Sequence, residues 1–165
     1  MSVDPFIMTI KASFYTPLIA LVIIVSCASC SNAQSKTPAV PGSAVQRHTP
    51  NDFTTLTNPG KTSVQVVWPK NSPDSQITVT RATLKPGATS DRHTHPGEQT
   101  WIVEQGSALM LLVGNQNMQI RTGDVVRTPP GEVHGVFNDG TVPLVYLSIT
   151  TPPEDMTKFY SEAKR

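Results

Sequence analysis

The sequence predicts an all-β domain, an antiparallel β-barrel or jelly roll followed by a short C-terminal helix. Three observations carry that expectation. From residue 53 onward the apolar residues fall in short β-type runs separated by Pro, Gly and Asn turn signals. No segment of helical period lies between those runs. The 165 residues include 15 Pro and 10 Gly, enough chain breakers for many tight turns, and leave room for one domain with a real core. Formal charge is +1, with no basic run and no Lys/Arg patch interleaved with aromatics, so nucleic acid is excluded as an expected partner.

The first element is of another kind. Lys11 precedes the eight-residue apolar run 18–25, which is followed by Ser26-Cys27-Ala28-Ser29-Cys30-Ser31-Asn32-Ala33-Gln34. Residues 1–33 read as an export signal, with Met8 as an alternative start that shortens the charged region and drops Asp4. Eight apolar residues do not span a bilayer, which takes about 20. Two cleavage readings stay open. Ile24-Val25-Ser26-Cys27 resembles a bacterial lipobox, in which Cys27 becomes the lipidated first residue, whereas Ser31-Asn32-Ala33 resembles a small-x-small site that frees a protein starting at Gln34. Both cysteines of the chain lie here, which favours the lipoprotein over release at Gln34, and a Cys27/Cys30 redox pair or metal site is disfavoured because a signal segment is removed before it could fold; the folded domain is left without an internal disulfide. The expected location is the bacterial periplasm, on a lipid anchor or free, and otherwise outside the cell.

Residues 31–52 shift to Ser, Thr, Pro, Ala and Gln and read as a flexible tether. His48, in this stretch, is expected to be solvated. The barrel domain is expected over 53–165, with strands at 64–68, 77–84, 100–105, 108–113, 118–120, 124–127, 133–138 and 144–150. Gly114-Asn115-Gln116-Asn117 and Asn138-Asp139-Gly140 supply turns. After Pro152-Pro153 the tail 154–164 reads as helical, with Met156, Phe159 and Tyr160 spaced to pack one face on the barrel.

Chemistry concentrates between Gly87 and Asn138. His93 and His95 are two residues apart, so on an extended strand their imidazoles leave the same face and can close on one ion. Gln99 shares their parity and Glu98 does not, although Pro96-Gly97 can shift the register, so both stay open as the oxygen ligand. His134 follows the turn signal Pro129-Pro130-Gly131 and brings a third imidazole from another strand.

Gly87, His93, His95, Gly106, Gly123, Pro129, Gly131, His134 and Asn138 together resemble the paired motifs of the cupin superfamily, over about residues 64–152. The resemblance implies a single-domain cupin barrel with one divalent transition metal, Mn or Fe, inside it. The commonest cupin pattern has a glutamate where this chain has Gln99, and the spacing resembles a subset with three His and one Gln. The ligand set implied is His93, His95, Gln99 and His134. A neutral amide cancels none of the ion's charge, so the site would favour an anionic ligand such as an enolate, carboxylate or cyanide. Imidazole ligands by themselves do not select among the first-row metals. Residues of the same parity on the facing strands, Trp101, Val103, Val136 and Tyr146, are expected to line the barrel's pocket.

No Ser-His-Asp or Cys-His set remains once the motif histidines are assigned to the ion, so catalysis would run through the metal and no separate catalytic residue is assigned. The first functional expectation is a metal-dependent enzyme on a small organic substrate, of dioxygenase, lyase or isomerase type. The run His93-Thr-His-Pro-x-x-Gln99 resembles the hydroxynitrile lyase cupins. The second is a non-catalytic small-molecule-binding or sensing module of the cell envelope, and the third a barrel that has lost its metal. Many cupins form dimers, and the resemblance implies a homodimer. Membrane contact would come only through the lipid anchor.

Overall fold

The computed structural model describes residues 44–164; the export segment, Cys27 and most of the tether lie outside them. Among the described residues no helix is long and apolar enough to cross a membrane. The strands are β1 (Thr54–Asn58), β2 (Lys61–Val67), β3 (Thr78–Leu84), β4 (Thr89–His93), β5 (Glu98–Gln105), β6 (Ser107–Leu111), β7 (Met118–Arg121), β8 (Val125–Thr128), β9 (His134–Phe137), β10 (Leu144–Thr151) and β11 (Glu162–Lys164). They form two antiparallel sheets, ordered β11-β1-β2-β3-β10-β5-β8 and β4-β9-β6-β7, the two walls of a jelly roll.

The eight expected strands are present with ends shifted by up to three residues, and three further strands are added. β4, Thr-Ser-Asp-Arg-His, has no aliphatic residue and β1 has only Leu56, so apolar alternation gives no sign of either. The C-terminal helix is a single 3-10 turn, Met156–Phe159. The helical reading of 154–164 is corrected beyond it, because 162–164 pair with β1 as strand β11. Helix-period spacing of Met156, Phe159 and Tyr160 is met by one turn, and the open hydrogen-bonding edge of β1 captures the residues after that turn. His48 is a second correction. It is half-buried, with Nε2 2.8 Å from Ser72 Oγ, rather than solvated in a tether.

Side chains alternate inward and outward along the strands, and the inward set changes character along the barrel. At one end Leu84, Val103, Ala108, Met110, Ile120, Val136 and Leu144 make the apolar core. At the other the buried residues are polar: Ser63, Gln65, Thr78, Thr80, Gln99, Ser148 and Thr150. Register makes the change, since β10 sets Tyr146 beside Ala82, then Ser148 beside Thr80 and Thr150 beside Thr78. On its other side β10 sets Ser148 beside Trp101 and Thr150 beside Gln99. Burying apolar surface at one end holds the sheets together, and the polar end remains for chemistry.

Candidate metal centre

The structure brings His93, His95 and His134 together, each offering one ring nitrogen within 4.8 Å of the others. His93 ends β4 and pairs directly with His134, the first residue of β9, so one sheet contributes two imidazoles across a ladder. His95 lies past the end of β4, in the connection that crosses to the other sheet, and its carbonyl accepts from Gly131 N at 2.9 Å. Gln99, on β5, faces them from the seven-stranded sheet. Two glycines permit this convergence. A Cβ on Gly135 would sit 2.7 Å from Ser90 O on β4, and one on Gly97 would sit 2.2 Å from Thr151 O on β10.

Hydrogen bonds fix all three tautomers. His93 Nδ1 is 2.7 Å from Asp91 O, His95 Nδ1 is 2.7 Å from Glu154 Oε2, and His134 Nδ1 is 3.0 Å from Glu132 O. Each partner is an acceptor only, so each Nδ1 carries the proton and each Nε2 keeps a lone pair. The arrangement matches the outer-shell pattern that orients metal-bound imidazoles.

Gln99 is fixed by the same reasoning. Trp101 Nε1–H, a donor only, gives to Gln99 Oε1 at 2.5 Å, and Gln99 Nε2 donates to Thr150 Oγ1 at 3.1 Å and to the His95 Nε2 lone pair at 3.1 Å. Gln99 Oε1 therefore lies 3.0 Å from His134 Nε2, an acceptor facing a lone pair. A cation between them satisfies both, which is the observation by which these residues fit a metal. Glu98, the alternative oxygen ligand, stands outside this cluster and is ion-paired with Arg127 of β8.

Burial favours the neutral form of every imidazole. It lowers the His93 pKa to about 4, against the hydrogen bond to Asp91 O that raises it, and it lowers those of His95 and His134 as well. Burial would raise the Glu154 carboxyl, but hydrogen bonds from Lys158 and His95 outweigh it and the pKa falls, so Glu154 stays ionised behind His95. Three neutral donors backed by a buried carboxylate can receive a divalent cation near neutral pH without first losing protons.

The cluster opens on a cavity of about 500 Å³. Trp101 and Tyr146 line it, their rings stacked at 4.3 Å between centroids. Val103 and Val136, expected beside them, belong instead to the apolar core. Strand parity predicts an inward direction but not depth, and these two valines lie toward the closed end. Phe159 packs on both His93 and His95, with centroids 5.1 and 5.0 Å away. Sequence reasoning placed Phe159 and Tyr160 on the barrel but missed them as cavity wall, and it missed Lys61 in that wall and Glu154 behind His95 altogether. Glu154 gave no signal, being 59 residues from its imidazole. Lys61 shares parity with the inward Ser63 and Gln65, a sign hidden because the expected strand began at 64.

Residues 80–150 match the cupin domain family, and the fold and the histidine cluster agree with it. Residues 80–150 are a cupin domain. A curated relative is the (R)-mandelonitrile lyase of Granulicella tundricola, 39% identical over 67 residues, covering 41% of this chain and 51% of the lyase. The chain thus matches about half of that enzyme's length. Among solved structures it is similar to an uncharacterised double-stranded β-helix protein of Klebsiella pneumoniae, with a TM-score of 0.55 and 21% identity over 73% of this chain and 96% of that one. It is also similar to the oxalate decarboxylase of Bacillus subtilis, a protein with Mn(II) centres, with a TM-score of 0.55 and 24% identity over 61% of this cupin and 28% of the decarboxylase. At these identities the structural likenesses show the shared fold.

Proposed function

We propose that this cupin is a metal-dependent enzyme acting on a small organic molecule, with His93, His95, His134 and Gln99 holding one Mn or Fe ion. The observation that carries the reading is the cluster of three Nδ1-protonated imidazoles, with the His134 Nε2 lone pair facing the Gln99 Oε1 acceptor. A bound divalent ion would supply Lewis-acid stabilisation of developing negative charge on a substrate oxygen or nitrogen. The chain's own residues do the rest. Trp101 and Thr150 hold the Gln99 amide in one orientation, Glu154 keeps its charge behind His95, and Phe159 packs against His93 and His95.

Lyase-type chemistry is favoured over dioxygenase or isomerase chemistry by the likeness to the mandelonitrile lyase across the motif region and by the neutral Gln99, which leaves the ion's charge available for an anionic leaving group. The test is release of benzaldehyde from (R)-mandelonitrile by the Mn(II)-loaded chain, followed by absorbance alongside a panel of other cyanohydrins and of organic acids. Bound metal with no turnover of any of them would favour the alternative, a binding or sensing module. That alternative draws support from the carboxylates near the histidines: Glu154 is already paired with His95 and Lys158, and Asp91, in the cavity wall, is exposed at the rim.

Export belongs to the same proposal and rests on the segment 1–33, with Cys27 as the lipid-attachment residue of a periplasm-facing lipoprotein, and with a homodimer as the working assembly. Palmitate labelling of the wild type but not of Cys27→Ser tests the anchor.

A further inference from the structure

Lys61 opens β2, and its side chain runs into the wall of the cavity that holds the histidine cluster. Its Nζ donates to Ser90 Oγ at 2.9 Å and sits 5.2 Å from the ring centroid of Tyr160. Arg81 pairs with Glu104, His95 and Lys158 with Glu154, and Arg127 with Glu98; Lys61 is in none of these pairs. An ammonium held away from bulk water is ordinarily matched by a carboxylate. Here the matching groups are a hydroxyl and an aromatic face.

Neutral donors flank it. Tyr160 OH is 2.6 Å from Ser63 Oγ, and the fully buried Tyr146 phenol, whose pKa burial raises, remains protonated beside Lys61. The acids near the cavity do not supply the missing charge: Glu154 is committed to His95 and Lys158, and Asp91 is exposed at the rim. With a divalent ion on three neutral imidazoles and a neutral amide, the pocket would be strongly cationic. A cavity of about 500 Å³ with that charge suits a small anion better than a neutral molecule.

We infer that Lys61, assisted by the Tyr146 and Tyr160 hydroxyls, is a substrate-positioning residue that binds the carboxylate of a small organic acid while another oxygen of the same molecule faces the histidine cluster. The inference rests on the metal-centre reading for the second contact only. A charge-assisted hydrogen bond is shorter and stronger than a neutral one, so this end of the cavity selects an acid over its amide. Lys61 orients the substrate and takes no part in bond making.

The test is calorimetric titration of the full chain, with its metal content measured on the same samples, using glycolate, pyruvate and benzoate and their three amides as probes. The wild type is expected to bind at least one acid more tightly than its amide, Lys61→Gln to lose about 10- to 100-fold in acid affinity with the amide unaffected, and Lys61→Arg to keep the preference. Equal metal content and melting temperature in the three proteins excludes a folding effect. An acid preference that survives Lys61→Gln, or no saturable binding of any of the three acids to the wild type, overturns the inference. A Lys61-dependent acid preference in protein that retains no metal would sink the metal-centre reading and leave this one standing; one metal per chain without acid binding would do the reverse.

Discussion

Glu154 Oε2 lies 2.7 Å from His95 Nδ1, joining the C-terminal segment to the histidine cluster through one buried hydrogen bond. The carboxylate is held from behind by Lys158, and its backbone N donates to Thr78 Oγ1 at 2.9 Å. The tail after β10 is therefore part of the site's support as well as a cover for the sheet. Glu154→Gln keeps an acceptor for the imidazole but removes the charge, and Glu154→Leu removes both. Metal affinity is expected to fall about tenfold in the first and about 100-fold in the second, measured by competition with a chelating dye.

Gln99 gives opposite outcomes for two substitutions. Gln99→Glu offers Trp101 Nε1–H an acceptor still and adds a negative charge to the ligand set, so affinity for a divalent ion is expected to rise by about tenfold or more. Gln99→Leu leaves the buried indole donor unmet, which costs about 1–3 kcal/mol of stability and appears as a lower melting temperature even without metal.

Acidity should act through the imidazoles. The folded pKa of His93 is depressed to about 4 against about 6.5 in an unfolded chain, and those of His95 and His134 are depressed as well. Between those values the unfolded chain binds protons that the folded one refuses. The stability present above pH 6.5 is accordingly lost as pH falls toward 4. The depressed Glu154 carboxyl acts in the same direction at the lower end, below its ordinary 4.5. Thermal melts of the metal-free protein from pH 7.5 to 4 should show this fall, and saturating Mn(II) should displace it to lower pH. A melting temperature flat between pH 6.5 and 4 would contradict these assignments.

Gly135 marks a close backbone approach between the two histidine-bearing strands. A Cβ there would meet Ser90 O at 2.7 Å and Arg92 N at 3.0 Å, and backbone cannot swing aside as a side chain can. Gly135→Ala should push β9 from β4, costing about 1–3 kcal/mol, and should lower metal occupancy because His93 and His134 are paired across that ladder. Calorimetry and metal analysis on the same sample check both effects.

Much of this site is legible in the sequence alone. The His-x-His parity and the Pro-Gly turn before His134 report backbone direction, which strand geometry converts into convergence. Glu98 and Gln99 also separate by parity: the first meets Arg127 on the outer surface, the second meets Trp101 and Thr150 inside. Contacts between distant segments are what escaped. β4 and β1 carry polar or isolated apolar residues and are made strands by their neighbours. Glu154 meets His95, and Lys61 meets Tyr160 in the cavity wall, only because the tail after β10 folds back along β1, which local sequence does not record. Val103 and Val136 show the limit of parity, which separates inside from outside but not the apolar end of a barrel from its polar end.

The most direct measurement is elemental analysis of the full chain, purified without chelator or nickel resin, beside His134→Ala. The account predicts about one Mn or Fe per chain in the wild type and a loss of it in the variant with the fold intact by circular dichroism. A wild type that holds no stoichiometric metal, even after incubation with Mn(II) or Fe(II), would contradict it.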